Sequence, residues 1–373
     1  MKVLFVVNLA SEYGGNIMAC IKGVSRRLKQ SGAEVYYLFP YEASGRAWLS
    51  DLDQESVSFA DFGRFSLFNE LIIQRKKLGR KTIVHAHFLI TIQIATIRLL
   101  FPKVVNHFHM TASTLPASVS WKEVFRRIVY RSVTTVAVSP AVASDLRERF
   151  SLNSGQCVCI LNAVDFSASR MKNRIGCSRV AAMRGAARGI FLVGMFGTHY
   201  ECKGVDIAAL ALNELGGSYK LEVLSHDVEA TRKKLDKLCL EDAYIEVRPV
   251  VEDVGSFYGS IDLFISPSRA EAFCYAIVEA AWSGCQVAAS LVPGQDCLKA
   301  IPGSIWFEPE NPMALAEAIA AAQLSQMRGE LHETACKQRA FVERTYSLET
   351  WIKQIIALYD EIGGEGMQGA FSE

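Results

Sequence analysis

Two glutamates in the segment SPSRAEAFCYAIVEAAWSG (266–284) raise the first chemical question. Glu271 lies just before a predicted helix, and Glu279 lies inside it among small and apolar residues. A carboxylate in such surroundings is costly to bury unless it is paired. Carboxylates also accept hydrogen bonds from sugar hydroxyls, as an acidic residue does at the ribose of dinucleotide sites. The pattern indicates either a polyol-binding pair or a glutamate near the helix start with a second one in solvent.

A lysine and two glycines occupy comparable positions after other predicted strands. Lys203 and Gly204 lie where a strand gives way to a helix, which suits a diphosphate, although an ordinary surface lysine is the alternative. Gly14 and Gly15 follow the first strand and would let the backbone approach a phosphate or a sugar. The alternative for this pair is a tight turn. The sequence contains neither a Walker A loop nor GxGxxG at these strand ends.

Four histidines fall near the ends of two further predicted strands. VHAHF contains His85 and His87, and VNHFHM contains His107 and His109. A metal site is one interpretation, but no carboxylate or cysteine spacing accompanies the histidines. We therefore expect no metal ion. We expect His109 to reach the ligand cleft and the other three to make local hydrogen bonds.

Short runs rich in Val, Ile and Phe alternate with segments of helical periodicity, which predicts parallel sheets covered by helices. The predicted fold class is α/β, with two facing Rossmann-like doubly wound domains and a central cleft. The expected parts are an amino-terminal domain (1–165), a basic linker (166–189), a carboxyl-terminal domain (190–345), a helix that packs back on the first domain (346–362) and a flexible tail (363–373). Ligands of such sheets bind at the carboxyl ends of the strands.

Charge is unevenly distributed along the 373 residues. Residues 1–189 hold 26 basic and 12 acidic side chains, and residues 190–373 hold 14 and 27. Ten cysteines without a CxxC pair and the absence of a long uncharged run predict a cytoplasmic protein. The basic segments 74–81 and 121–131 suggest contact with an anionic membrane at its inner face. The alternative for 121–131 is an ordinary amphipathic helix. We expect no nucleic acid partner.

Several segments together resemble the retaining glycosyltransferases of family 4, the glycosyl transferases group 1, which have the two-domain GT-B fold. EAFCYAIVEAAWSGCQV is similar to the family segment EGFGLxxxEAMAxGxPV. KGVD (203–206), NAVD (162–165), VSP (138–140) and the early GG follow the order that the family shows. Each short motif is weak alone, whereas the ordered set is specific.

The resemblance implies transfer of a sugar from a nucleoside-diphosphate sugar, expected to be a UDP-sugar, without a metal ion or other cofactor. It implies an acceptor hydroxyl on a growing glycan or lipid-linked sugar, and hence polysaccharide biosynthesis. The residues that it implicates in catalysis are His109, Glu271 and Lys203. The residues that it implicates in donor binding are Gly14, Gly15, Thr198, Lys203, Arg269, Phe273, Cys274 and Glu279.

This sequence departs from the family pattern at four positions. Thr198 stands where the family usually has arginine, and we expect Arg269 to supply the missing charge. Ala272 and Cys274 replace two glycines, and Gln286 replaces a proline. Two alternatives therefore stay open. One is a sugar-nucleotide epimerase of the same fold, and the other is a catalytically weak nucleotide-sugar-binding assembly protein.

Overall fold

The computed structural model describes residues 1–111, 121–167, 189–241, 243–251 and 253–363. The chain forms two compact units, residues 1–165 with the last helix and residues 166–347. Most of the predicted basic linker (166–189) and of the predicted tail (363–373) lies outside the described residues.

The first unit is built on a seven-stranded parallel sheet of order β3-β2-β1-β4-β5-β6-β7. Its strands are β1 (Lys2–Val7), β2 (Glu34–Pro40), β3 (Val57–Ala60), β4 (Ile83–His87), β5 (Lys103–Phe108), β6 (Thr134–Ala137) and β7 (Cys157–Cys159). Its helices are α1 (Gly15–Gln30), α2 (Arg64–Leu78), α3 (Thr91–Leu100), α4 (Trp121–Arg131) and α5 (Pro140–Phe150). Continuous apolar strands such as LFVV are buried on both faces, as parallel sheets require.

The second unit contains a six-stranded parallel sheet of order β10-β9-β8-β11-β12-β13. Its strands are β8 (Phe191–Phe196), β9 (Tyr219–Ser225), β10 (Tyr244–Pro249), β11 (Leu263–Ser266), β12 (Gln286–Ser290) and β13 (Ile305–Phe307). Its helices are α6 (Tyr200–Lys203), α7 (Val205–Leu215), α8 (Val228–Asp236), α9 (Val254–Tyr258), α10 (Tyr275–Trp282), α11 (Pro312–Met327) and α12 (Leu331–Thr345). The predicted pair of Rossmann-like domains is confirmed.

The last helix, α13 (Leu348–Gly363), belongs to the first unit. It packs against α1, and Trp351, Ile355 and Tyr359 enter the same apolar core as Phe5 of β1. Their spacing of four residues places them on one side of the helix. In the part of the chain that the structure describes, no helix is both long enough and apolar enough to cross a bilayer.

Candidate active site

An ion pair between Lys203 and Glu271 lies at the carboxyl edge of the second sheet. Lys203 ends the short helix α6, beyond β8, and Glu271 lies in the loop between β11 and α10. The Lys203 ammonium donates to Glu271 Oε1 at 2.5 Å, and the Ser268 hydroxyl donates to the same oxygen at 2.9 Å. Burial acts to lower the pKa of Lys203, but the Glu271 carboxylate outweighs it, so the pKa is raised. The lysine therefore stays cationic at neutral pH.

Two glycines allow the backbone segments of this site to meet. A Cβ atom on Gly294 would lie 1.7 Å from the Glu271 carbonyl oxygen. A Cβ atom on Gly204, whose φ is +65°, would lie 2.1 Å from the Pro267 carbonyl oxygen. Glycine is the residue that tolerates both this close approach and a left-handed backbone. Gly204 also separates α6 from α7. Lys203 therefore lies at the end of α6, whereas the sequence predicted that it lies at the start of a helix.

Hydroxyl and amide groups hold the loop that carries Glu271. Ser290 of β12 donates to the Ser268 carbonyl at 2.7 Å. Gln295 donates to the Ser266 hydroxyl at 2.8 Å, and all four side chains are buried. Buried hydrogen bonds of this kind rigidify a loop. The Glu271 carboxylate is thus attached to a fixed support.

Glu279 lies in the second turn of α10 and is buried. The Tyr258 hydroxyl donates to Glu279 Oε2 at 3.2 Å. Small residues surround the carboxylate on the helix, including Ala280 and Ala281, which are also buried. A buried, acceptor-only carboxylate beside small residues is suited to hydroxyl donors of a polyol.

Phe273 and Cys274, the two residues before α10, were predicted to contribute to donor binding, and this role stays a prediction. Helix α10 begins at Tyr275, directly after Cys274, which adopts a left-handed conformation with φ of 72°. The Phe273 ring is buried against Tyr346, so only its backbone is available to a ligand. Burial raises the pKa of Cys274 to about 11, which keeps the thiol protonated. Its contact is with the Ser266 hydroxyl, at 3.5 Å.

Arg269 is held by acidic partners within the second unit. Its guanidinium makes two bonds to Asp206, at 2.9 and 2.7 Å, and one to Glu310 at 2.6 Å. Thr198 lies in the loop that follows β8, before α6. The structure therefore gives Arg269 a role in joining its own loop to α7 and to the loop that contains Glu310. Its predicted role at a diphosphate, in place of the arginine that Thr198 replaces, stays a prediction.

The glycine pair of the first unit follows β1. Gly15 begins α1 with φ of +59°, and a Cβ atom there would meet no heavy atom within 4 Å. A Cβ atom on Gly14 would lie 2.8 Å from Cβ of Met18. Close packing against Met18 thus accounts for a glycine at position 14. Gly15 presents an open stretch of backbone at the carboxyl edge of the first sheet.

The four histidines form a hydrogen-bonded cluster, in which His85, His87 and His107 are buried on β4 and β5 and His109, directly after β5, is half-buried. His85 lies 2.5 Å from the Tyr359 hydroxyl and 3.3 Å from His107, and His87 lies 3.1 Å from Nε2 of His109. Burial lowers the pKa of His109 to about 3 and holds the pKa values of the other three well below 6.5. All four rings are therefore neutral at pH 7.

A metal ion is the alternative use of this cluster. His85, His87 and His107 each offer a ring nitrogen, and these three atoms lie within 4.8 Å of one another. Among the described residues, Nε2 of His87 and Nε2 of His107 are buried without a hydrogen-bond partner. Nitrogen ligands of this kind suit Zn²⁺. The expectation that the protein uses no metal stays a prediction.

Phe88, Ser268 and Gly294 were missed by the sequence interpretation. Phe88 stacks on the His109 ring with centroids 4.4 Å apart, and its φ of 59° is unusual for a bulky residue. Such outliers concentrate at functional sites. A single sequence shows no sign of this backbone strain, whereas Ser268 lies three residues before Glu271, a spacing at which a hydroxyl can contact the carboxylate.

Two family profiles match this chain, one in each unit. The sequence profile described as Glycosyltransferase Family 4 matches residues 20–168, and the profile described as Glycosyl transferases group 1 matches residues 187–323. Together they account for well over half of the chain, in the order of its two units. The chain belongs to the family 4, group 1 glycosyltransferases. A search of curated proteins finds no significant match to this glycosyltransferase.

Solved structures resemble this glycosyltransferase over almost its whole length. A glycosyltransferase from Rickettsia africae has a TM-score of 0.77 at 19% identity and covers 98% of this chain and 99% of its own. HepE from Anabaena, solved with UDP, has a TM-score of 0.75 at 16% identity, and the match covers 97% of this chain and 100% of the HepE chain. Sucrose-phosphate synthase from Thermosynechococcus elongatus has a TM-score of 0.76 at 14% identity, and the match covers 98% of this chain and 100% of the synthase chain. At such low identity these likenesses show the fold, which is GT-B.

Proposed function

We propose that this glycosyltransferase moves a sugar from a nucleoside-diphosphate sugar to an acceptor hydroxyl with retention of configuration. The observation that carries the proposal is the Lys203–Glu271 pair at the carboxyl edge of the second sheet, with the buried Glu279 on the helix that follows. A cation for a diphosphate and two acceptors for hydroxyls are the groups that a nucleotide sugar requires. UDP is the proposed nucleotide, because the related fold of HepE has been solved with UDP and with UDP-glucose.

Each residue would have a distinct task. Glu279 would accept hydrogen bonds from the ribose hydroxyls, and Lys203 would bind the diphosphate. Because the donor would draw the ammonium toward its phosphates, Glu271 would exchange part of its contact with Lys203 for a hydroxyl of the sugar. Ser268, which also bonds to Oε1, would keep the carboxylate oriented during this exchange.

The reaction would depend on stabilising the leaving diphosphate. The anomeric carbon–oxygen bond to phosphate breaks as the acceptor oxygen attacks from the same face, and the acceptor proton passes to the departing phosphate oxygen. Lys203 and the amide groups at the start of α10 would stabilise the negative charge that develops there. We propose that this step needs no metal ion, because these groups supply the positive charge themselves.

His109 would act at the sugar from the first unit. Its Nε2 faces His87 at 3.1 Å, so Nδ1 is the ring nitrogen left for a substrate. A neutral ring can accept or donate a single hydrogen bond without adding charge. The backbone at Gly15, at the carboxyl edge of the first sheet, would approach the donor phosphates. The proposed acceptor is a growing glycan or lipid-linked sugar of a polysaccharide pathway.

The proposed compartment is the cytoplasm. None of the nine cysteines in the described part of the chain forms a disulfide, and several are buried, as is usual where thiols stay reduced.

Thermal shift against UDP, GDP, ADP and CMP tests the donor site. A ligand that binds only the folded protein raises the melting temperature. We expect UDP to give the largest shift, and Lys203→Ala and Glu279→Ala to reduce that shift. Lys233→Ala, on the exposed surface of α8, is the matched control and should respond like the parent. No shift with any nucleotide would contradict the proposal.

NMR of the product tests the stereochemistry. A product that keeps the anomeric configuration of the donor is expected, and an inverted product would refute attack from the same face.

A further inference from the structure

The helices α2, α3 and α4 form one continuous surface on the first unit. Each packs against the next along one side of the sheet. They follow β3, β4 and β5 in the chain, so their amino-terminal ends lie at the carboxyl edge of the sheet. His109 lies at the same edge, directly after β5. Whatever contacts these helix ends is therefore close to the region where an acceptor must arrive.

Large apolar side chains project into solvent from this edge. Phe65, at the start of α2, is 85% exposed, and Trp121, at the start of α4, is 69% exposed. Ile90, which caps α3, is 61% exposed. Single exposed apolar residues are ordinary on a protein surface, but a contiguous apolar patch marks an interaction site.

Helix α4 extends the patch along its length. Val124 is 58% exposed and Ile128 is 62% exposed, and with Trp121 they are spaced by three and four residues. This spacing aligns them in one stripe on the solvent side of the helix. The side that faces the core is instead formed by Val129 and Tyr130. Core packing of an amphipathic helix therefore does not account for the stripe.

Positive charge flanks the apolar stripe. Lys122, Arg127 and Arg131 are exposed on α4. The acidic residue of this helix, Glu123, is bound by Arg126 and by Arg149 of α5. Glu123 is thus paired with Arg126 and Arg149, and not with the exposed Lys122, Arg127 or Arg131. The surface combines an exposed apolar stripe with exposed cations, and residues 1–189 as a whole carry the excess of basic side chains.

We propose that the α2–α4 surface docks on an anionic lipid membrane. The apolar face is defined as Phe65, Ile90, Trp121, Val124 and Ile128. Apolar side chains of this kind enter the boundary between headgroups and acyl chains, and tryptophan favours that depth. Lysine and arginine beside them bind lipid phosphates. A nucleic acid would use the cations but not the apolar face, and an ordinary protein partner would not require the cations.

The docking has a consequence for the reaction. It would place the carboxyl edge of the first sheet, with His109, toward an acceptor carried on lipid. The proposal does not rest on the donor assignment, because every residue of this surface lies in the first unit and the candidate donor cations and carboxylates lie in the second. Failure of nucleotide binding would leave it standing.

Vesicle sedimentation of the full chain tests the proposal. We expect the protein to pellet with phosphatidylcholine vesicles that contain phosphatidylglycerol, to remain in solution with phosphatidylcholine alone, and to be released by salt. The double variant K122Q/R127Q should lower partitioning by on the order of 20-fold, at about fivefold per cation. The matched control is K233Q/K237Q on the second unit, which should bind as the parent does.

A second pair of variants tests the apolar face. W121S/I128S should lower partitioning by about tenfold or more, because in the parent both apolar side chains leave water when the protein binds the vesicle. L324S/M327S removes two exposed apolar side chains from α11 and should have no effect. Melting temperatures of both variants should match the parent, since all four residues are exposed. Lipids with brominated chains should quench the fluorescence of Trp121, and Trp121→Phe should abolish that quenching.

Two results would overturn the proposal. The first is equal pelleting, or none, with both kinds of vesicle. The second is a dimer in solution that W121S/I128S abolishes, without vesicle binding by the parent, which would assign the face to a second copy of this chain.

Discussion

Replacing Gly294 by alanine is expected to displace the loop that carries Glu271 while the second unit stays folded. The new Cβ atom would lie 1.7 Å from the Glu271 carbonyl oxygen, 2.4 Å from its carbonyl carbon and 2.9 Å from that of Ala272. These are backbone atoms, so no rotation of a side chain relieves the overlap. Van der Waals contact of carbon with oxygen begins at roughly 3.3 Å, and the segments must therefore separate by about 1.5 Å.

Such a displacement is large compared with the tolerance of the site. The Lys203–Glu271 contact of 2.5 Å and the Ser268–Glu271 contact of 2.9 Å would both pass out of hydrogen-bond range. Misplacing a positioned group by 1 Å can cost about 100-fold in rate. Overpacking of a buried site costs about 1–3 kcal/mol of unfolding free energy. The expected result is kcat/KM lower by about 100-fold with only a moderate fall in melting temperature.

Steady-state kinetics and thermal melting of Gly294→Ala test this reasoning. Gly217→Ala is the matched control, because a Cβ atom there meets nothing within 4 Å and no left-handed φ is involved. It should leave kcat/KM unchanged. Parent-like kcat/KM for Gly294→Ala, in a protein that melts as the parent does, would refute the claim that the Glu271 loop must be placed to within about 1 Å.

Three further substitutions or conditions probe the same account. Ser268→Ala should lower kcat/KM by about tenfold and leave UDP affinity unchanged, because the hydroxyl donates to Glu271, whose proposed partner is the sugar; calorimetric titration with UDP separates the two effects. Arg269→Gln should lower the unfolding free energy by about 1–2 kcal/mol in urea, since Asp206 loses two charge-assisted bonds, whereas parent stability would argue for a role at the diphosphate. The free energy of unfolding of the first unit should fall steeply below pH 6.5, because the four clustered histidines have lowered pKa values and the unfolded chain binds their protons. Between pH 7 and 5.5 each would cost about 1.3 kcal/mol, and a flat urea midpoint over that range would contradict the neutral cluster.

The fold was accessible from the sequence because parallel strands have a strong signature. Runs such as KVLFVV are buried on both faces and alternate with helices, so the alternation alone indicates two doubly wound sheets. The carboxyl ends of the strands then located the region of Lys203 and Glu271. That these two side chains meet each other could not be predicted, because 68 residues separate them and the contact depends on the close approach at Gly204 and Gly294.

Local details of the site depended on the backbone and were not predictable in the same way. Cys274 takes a left-handed conformation where the family has glycine, and α10 begins directly after it, at Tyr275. The pairing of Arg269 with Asp206 and Glu310 was not predictable either, because the sequence does not reveal that the start of α7 and the loop of Glu310 meet this arginine. The outward stripe on α4 also required the structure, since periodicity gives an apolar side but not the direction in which it faces.

Release of UDP from UDP-sugars with the parent and with Lys203→Ala is the most direct test of the proposed donor site. Lys203 is the cation to which the account assigns the leaving diphosphate. The account predicts that the parent releases UDP in the presence of an acceptor and that Lys203→Ala is slower by about 100-fold or more, with Lys233→Ala unchanged. Equal rates for Lys203→Ala and the parent would contradict it.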